Sequence, residues 1–231
     1  MAKKVYFVTG TDTGVGKTVV SAGLLALAGQ VGLRTLAIKP VASGCEDTRD
    51  GLRNEDALHL QSSITETMSY DQINPVALAP AIAPHVAAKQ AGTMLSAERL
   101  AGFCRGVMMQ PGDFMVIEGA GGWRVPLNDR ETYADLPRIL SVPVILVVDL
   151  RLGCINHALL SAESIRQDGV RLAGWVANRC SPEPMSNEDD TLAYLGSHMG
   201  APCLGVVPWL SGGRGLAPAG DVARHLALPQ A

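Results

Sequence analysis

No run of lysines and arginines interrupts this 231-residue chain, and 22 acidic residues slightly outnumber 19 basic ones, for a net charge of −3. The electrostatic footprint of a general nucleic-acid binder is missing, so no nucleic-acid partner is expected. The longest strongly apolar run, VPVILVV at residues 142–148, is far too short to span a bilayer. Only the stretch VYFVT separates the N-terminal lysines from Gly10, too little for the core of a secretory signal. The chain is expected to be soluble, with no membrane partner.

Five cysteines (Cys45, Cys104, Cys154, Cys180 and Cys203) are odd in number, widely spaced and without a C-x-x-C pair. That pattern argues against a disulfide framework or a zinc knuckle and points to a reducing cytoplasm. The five histidines show no H-x-x-x-H spacing, so no transition-metal site is expected. No Ser/His/Asp or Cys/His arrangement stands out from scattered polar residues.

What is present is an alternation of elements. A 47% apolar content over 231 residues fits one domain, residues 1–231, with a substantial core. Short unbroken apolar runs recur at residues 5–9, 34–38, 114–117, 144–148, 172–177 and 203–207, as strands buried on both faces require. Helical patterns lie between them at 18–31, 54–61, 96–109, 156–168 and 187–199, with Asn156 as the expected N-cap of the fourth and Gly169 just past its end. The fold class is therefore α/β, a mostly parallel central sheet flanked by helices on both faces. The segment NPVALAPAIAPHVAAKQAG, residues 74–92, carries three prolines that forbid a continuous helix before Pro84, and taken alone it reads as a surface connection. The tail after Leu210, SGGRGLAPAG at residues 211–220, reads as a mobile loop.

Within the first strand-to-helix junction stands VTGTDTGVGKT, residues 8–18. Gly16, Lys17 and Thr18 match the end of a phosphate loop, but its usual first glycine would occupy position 11, where this chain has a threonine. In such a loop backbone N–H groups and a helix N-terminus face one concavity, Lys17 reaches the β and γ phosphates, and the Thr18 hydroxyl ligates Mg²⁺. The competing reading is a Gly-rich turn with an exposed lysine; the strand before and the helix after favour the phosphate loop. A second acid is needed near the metal, and both Glu118 and Asp149 end apolar strands, so position alone does not choose between them. Asp149 could instead pair with Arg151. Lys39, in KPVASG, stands at the C-terminal edge of the second strand, the side on which open α/β sheets bind ligands. Asp56 either faces the metal or serves as a first-turn helix acid. The roles of Trp123 and Arg124 stay open.

Taken together, VTGTDTGVGKT, KPVASG, GLRNEDA, PHVAA, VIEGAGGW, PVILVVDLRLGCINHALL, LAGWVAN and PWL follow one another along nearly the whole chain. In that order they closely resemble the dethiobiotin synthetase family, whose phosphate-loop NTPase-like fold displaces the first loop glycine as Gly10 is displaced here. The resemblance implies an ATP- and Mg²⁺-dependent ligase that carboxylates 7,8-diaminopelargonic acid with CO₂ or bicarbonate and closes the ring, as a homodimer. It implies that Thr13, Gly14, Val15, Gly16, Lys17, Thr18 and Val19 cradle ATP, and that Thr18, Asp56 and Glu118 hold the metal. Gly119, Ala120 and Gly121 would lie along the nucleotide, and Asn178, Arg179, Pro208, Trp209 and Leu210 would surround its base. Lys39 and Lys17 would be catalytic. Ser43 would face the diamine, and Gly153, Cys154, Ile155 and Asn156 would offer helix N-terminal N–H groups to its carboxylate across the dimer. Some relatives carry an acid where this chain has Gly14, so that side-chain contact is absent here.

Two other classes compete. A nucleotide-driven switch or partitioning ATPase would carry a further lysine five residues before Lys17, where Asp12 stands. A regulatory GTPase would need N-K-x-D, but RCS follows Asn178.

Overall fold

The computed structural model describes residues 3–210 and 216–230. β1 (Lys4–Gly10) leads through the glycine-rich loop into α1 (Lys17–Gln30) and back to β2 (Thr35–Ile38). Small elements follow: β3 (Val41–Ser43), β4 (Glu46–Thr48), β5 (Gly51–Arg53), α2 (Glu55–Ser63), α3 (Tyr70–Ile73), β6 (Val76–Leu78) and α4 (Pro84–Gln90). Regular alternation resumes with α5 (Ala97–Met108), β7 (Phe114–Gly122), α6 (Asp135–Leu140), β8 (Val144–Asp149), α7 (Cys154–Gln167), β9 (Leu172–Asn178), α8 (Glu188–His198) and β10 (Cys203–Val207). α9 (Ala219–Ala223) follows near the C-terminus.

The six apolar runs pair side by side as one parallel sheet in the order β10-β9-β8-β1-β7-β2. Successive residues of β8 from Val144 to Val148 are all buried, so both faces of that strand are covered, which is why the run is unbroken rather than alternating. After β1 the chain builds β2 and β7 on one side and then crosses to place β8 on the other. Strand order thus reverses at β1, and residues at and beyond the C-terminal ends of β1, β2 and β7 line a cavity at the edge where such sheets bind ligands.

Three local expectations need correction. α7 begins at Cys154, led in by Gly153 at φ 92°, so Asn156 lies inside the first turn and is not the N-cap. A glycine in that left-handed conformation turns the chain into the helix earlier than a side-chain cap at Asn156 would. Gly169 does follow the helix end at φ 74°. Residues 74–92 are not a mere connection: β6 pairs in parallel with β3, and α4 starts at Pro84 as its first residue, the one helical position that tolerates proline freely. The tail beyond Leu210 includes α9, while residues 211–215 of that expected loop lie outside the described residues.

Candidate active site

At the end of β1 the backbone turns sharply, with Gly14 at φ 77° and Gly16 at φ 87°, both left-handed and both costly for any residue with a Cβ. α1 then starts directly at Lys17 and Thr18, so the first N–H groups of a 14-residue helix point into the loop. Both side chains are buried. The Lys17 ammonium curls back to donate to the Asp12 carbonyl at 3.0 Å. Burial, helped by the nearby Lys39 charge, lowers its pKa to about 8 against the opposing pull of Glu118, Asp56 and Asp12.

The acid beside the loop is Glu118. β7 lies in parallel register with β1, Val8 opposite Glu118, which carries this carboxylate to the loop's inner side with no solvent exposure. Its Oε1 accepts from the Thr18 hydroxyl at 2.8 Å and from the Lys39 ammonium at 2.6 Å. Oε2 is buried with no hydrogen-bond partner among the described residues. Asp149, the rival acid, sits 3.3 Å from the Arg151 guanidinium.

Lys39 is pinned at both ends. Its N–H donates to the Ile73 carbonyl at 2.7 Å and its carbonyl accepts from the Asn74 side chain at 2.8 Å. Its ammonium reaches the Asp56 carboxylate at 2.9 Å as well as Glu118. Asn54 caps α2 by accepting from the Ala57 N–H at 3.3 Å, and so sets Asp56 in the first helical turn, aimed at Lys39. Burial works against the Lys39 charge, but Glu118 and Asp56 together outweigh it and hold the ammonium above the ordinary lysine range. Burial likewise opposes ionisation of Asp56, and Lys39 reverses this, drawing its carboxyl below the usual value.

Lys17, Thr18, Lys39 and Asp56 line one cavity of about 670 Å³, large enough for a drug-sized ligand, whereas Glu118, without solvent exposure, is not part of its lining and acts on it through Thr18 and Lys39. Thr13, Gly14, Gly16, Lys17, Thr18 and Val19 line it from the loop and the start of α1, together with Lys39, Ser43 and Asp56 and with Ala120 and Gly121 of β7. The Ser43 hydroxyl is buried without a partner among the described residues and is free to meet a ligand. Apolar residues complete the lining: Ala81, Ile82, Ala83 and Pro84, with Val125, Pro126 and Leu216. Sequence reasoning assigned no role to these residues; the signal was Pro84, which opens a helix and leaves the preceding loop folded over the sheet's rim.

The remaining expected residues lie outside this cavity. The Val15 carbonyl accepts from the Asn178 amide at 3.0 Å. Gly119 packs against the Phe7 ring, and a Cβ there would come within 2.9 Å of it. Arg179 grips Glu188 through its Nε at 2.9 and 3.0 Å. Pro208 and Leu210 are half-buried and Trp209 is 46% exposed. Cys154 is buried while its neighbour Leu152 is 90% exposed at the start of α7. Trp123 and Arg124 form a latch: the indole donates to Asp168 at 2.7 Å, and the guanidinium donates to Asp168 at 3.0 Å and to Ser164 at 2.9 Å. Together they tie the turn after β7 to the end of α7.

A family model described as an AAA domain matches residues 4–213. The ATP-dependent dethiobiotin synthetase BioD of Marinobacter nauticus is 66% identical over 210 residues, covering 91% of this chain and 90% of that protein. The protein of the same name from Cellvibrio japonicus is 56% identical over 228 residues, covering 99% and 97%. This chain belongs to the dethiobiotin synthetase family.

Among solved structures, a ParA family ATPase from Chlorobium tepidum superposes with a TM-score of 0.58 at 13% identity, covering 97% of this chain and all of that one. The septum site-determining protein MinD of Pyrococcus horikoshii, complexed with Mg-ADP, gives 0.54 at 20% identity, covering 90% and 82%. At those identities the likeness establishes the phosphate-loop NTPase fold and nothing of partitioning activity. In this dethiobiotin synthetase charged and apolar residues line one and the same cavity on that fold.

Proposed function

We propose that this cavity binds ATP and the diamine together and carries out the ATP-dependent synthesis of dethiobiotin. The observation that supports the reading is the meeting of the Lys17 loop with Lys39 and Asp56 in one pocket that apolar residues 81–84 also line, with the buried Glu118 bonded to Lys39 and Thr18. The apolar wall of residues 81–84 suits the hydrocarbon chain of 7,8-diaminopelargonate, and the Ser43 hydroxyl and Lys39 suit its amine end. One amine adds to CO₂ to give a carbamate, whose negative charge the Lys39 ammonium stabilises. A carbamate oxygen attacks the γ-phosphorus of ATP, forming a carbamic–phosphoric anhydride and releasing ADP. The second amine then attacks the anhydride carbon, closing the ureido ring and releasing phosphate. Little covalent work falls to the protein; positioning and charge neutralisation by Lys17 and Lys39 carry the steps.

The Thr18 hydroxyl with the Asp56 and Glu118 carboxylates is an all-oxygen set that suits Mg²⁺, and the unpartnered Glu118 Oε2 supplies a spare acceptor. Held there, Mg²⁺ would neutralise charge on the β and γ phosphates. Asn178, Arg179 and residues 208–210 border the place for the base. A cytoplasmic homodimer completes the reading, with Gly153, Cys154, Ile155 and Asn156 presenting helix N–H groups to the partner's diamine carboxylate; the exposed Leu152 and Leu160 beside them support that contact. ADP release measured with and without diamine and bicarbonate tests the proposal. Release that requires both is expected, and release indifferent to the diamine would replace the ligase with a simple ATPase.

A further inference from the structure

We propose that Asn178 is a positioning residue of the phosphate loop, its side-chain amide holding the Val15–Gly16 peptide in the anion-binding orientation before any nucleotide arrives. Asn178 closes β9, and its own backbone is fixed from both sides. Its carbonyl accepts from the Leu150 N–H at 2.9 Å, and the next N–H, that of Arg179, donates to the Val207 carbonyl at 3.0 Å. From this rigid base the amide nitrogen donates to the Val15 carbonyl at 3.0 Å, linking positions 163 residues apart. A carbonyl can only accept, so the contact assigns which side of the amide is nitrogen. The second amide hydrogen faces the Cys180 sulfur at 3.2 Å, which leaves Oδ1 as the group available to a base.

Peptide geometry turns this contact into function. In a trans peptide the carbonyl of one residue and the N–H of the next point in opposite directions. Anchoring the Val15 carbonyl on Asn178 therefore aims the Gly16 N–H away from β9, toward the side on which Gly16 lines the cavity. The chain is built for the approach: a Cβ on Gly16 would lie 2.1 Å from the Asn178 nitrogen. Val15 and Asn178 are both buried, so water does not replace the contact once it is lost. Base site and phosphate cradle are joined through one side chain, and the loop's order does not depend on the nucleotide.

The inference rests on the reading of residues 10–18 as a triphosphate cradle, and inorganic tripolyphosphate, a triphosphate without a base, separates the two. Binding of Mg-tripolyphosphate and of Mg-ATP is measured for the wild-type chain and for Asn178→Leu, which keeps the volume, adds no charge and removes the donor. Asn178→Ala replaces it should the leucine variant melt early, and melting temperatures confirm that the variant measured is folded. Loss of one buried hydrogen bond that orders the loop is expected to weaken tripolyphosphate roughly tenfold and ATP by at least as much. A folded variant that binds tripolyphosphate like the wild type but ATP weakly would confine Asn178 to the base and overturn the inference. So would a wild-type protein that binds ATP and not tripolyphosphate, because its cradle would then need the base to form. Failure of the wild type to bind either ligand would instead overturn the phosphate-loop reading itself.

Discussion

Replacing Lys39 with methionine removes the cation that Glu118 and Asp56 share, while keeping a side chain of similar length. The ammonium side chain is 6% exposed and that of Glu118 is not exposed at all, so solvent cannot take over the lost charge. Breaking a buried ion pair by removing one partner costs about 3–5 kcal/mol. A loss of about 3 kcal/mol at pH 7 is therefore expected for Lys39→Met. Urea denaturation of wild type and variant reads the difference through the midpoints at constant slope. A deficit below about 1 kcal/mol would refute the buried-pair reasoning. Turnover of the folded variant should fall about 10²–10³-fold, the cost of deleting one preorganised group that meets developing charge.

Lys17, with its pKa near 8, must be protonated to hold a triphosphate, so ATP binding takes up a proton above that pH. Affinity should drop about tenfold between pH 7 and pH 9, and calorimetry in two buffers of different ionisation heat detects the uptake. Lys17→Arg should show none. Trp123→Phe deletes the indole bond to Asp168 and is expected to lower stability by about 1–2 kcal/mol; an unchanged denaturation midpoint would remove the latch. Ile82→Asp, placed in the apolar wall, should raise KM for the diamine and leave KM for ATP unchanged, whereas the reverse pattern would exchange the two ligands' positions.

The central sheet was legible because strands such as β2, β8 and β9 are covered on both faces and are therefore written as unbroken apolar runs. The phosphate loop was legible because Gly14, Gly16, Lys17 and Thr18 are neighbours in the chain. Glu118 and Asp149 could not be ranked from position, since both end apolar strands; the family resemblance favoured Glu118, and the register sets it against Val8 and within reach of Thr18. The Lys39–Glu118 contact spans 79 residues, and no local pattern encodes it. Elements of three to five residues, such as β3, β6, α3 and α9, are too short to show a period and depend on tertiary contacts. The wall at residues 81–84 was hidden for the same reason that it works: prolines keep it irregular, and irregular backbone reads as surface connection until the site behind it is seen. The cap expected at Asn156 failed because Gly153 reaches a left-handed turn that a side-chain cap does not require.

ATP cleavage at the proposed site drives closure of a cyclic urea. Purified protein incubated with 7,8-diaminopelargonate, ¹³C-bicarbonate and Mg-ATP should yield dethiobiotin carrying the label in its ureido carbon, with one ADP formed for each ring closed. Formation of ADP without labelled dethiobiotin would contradict it.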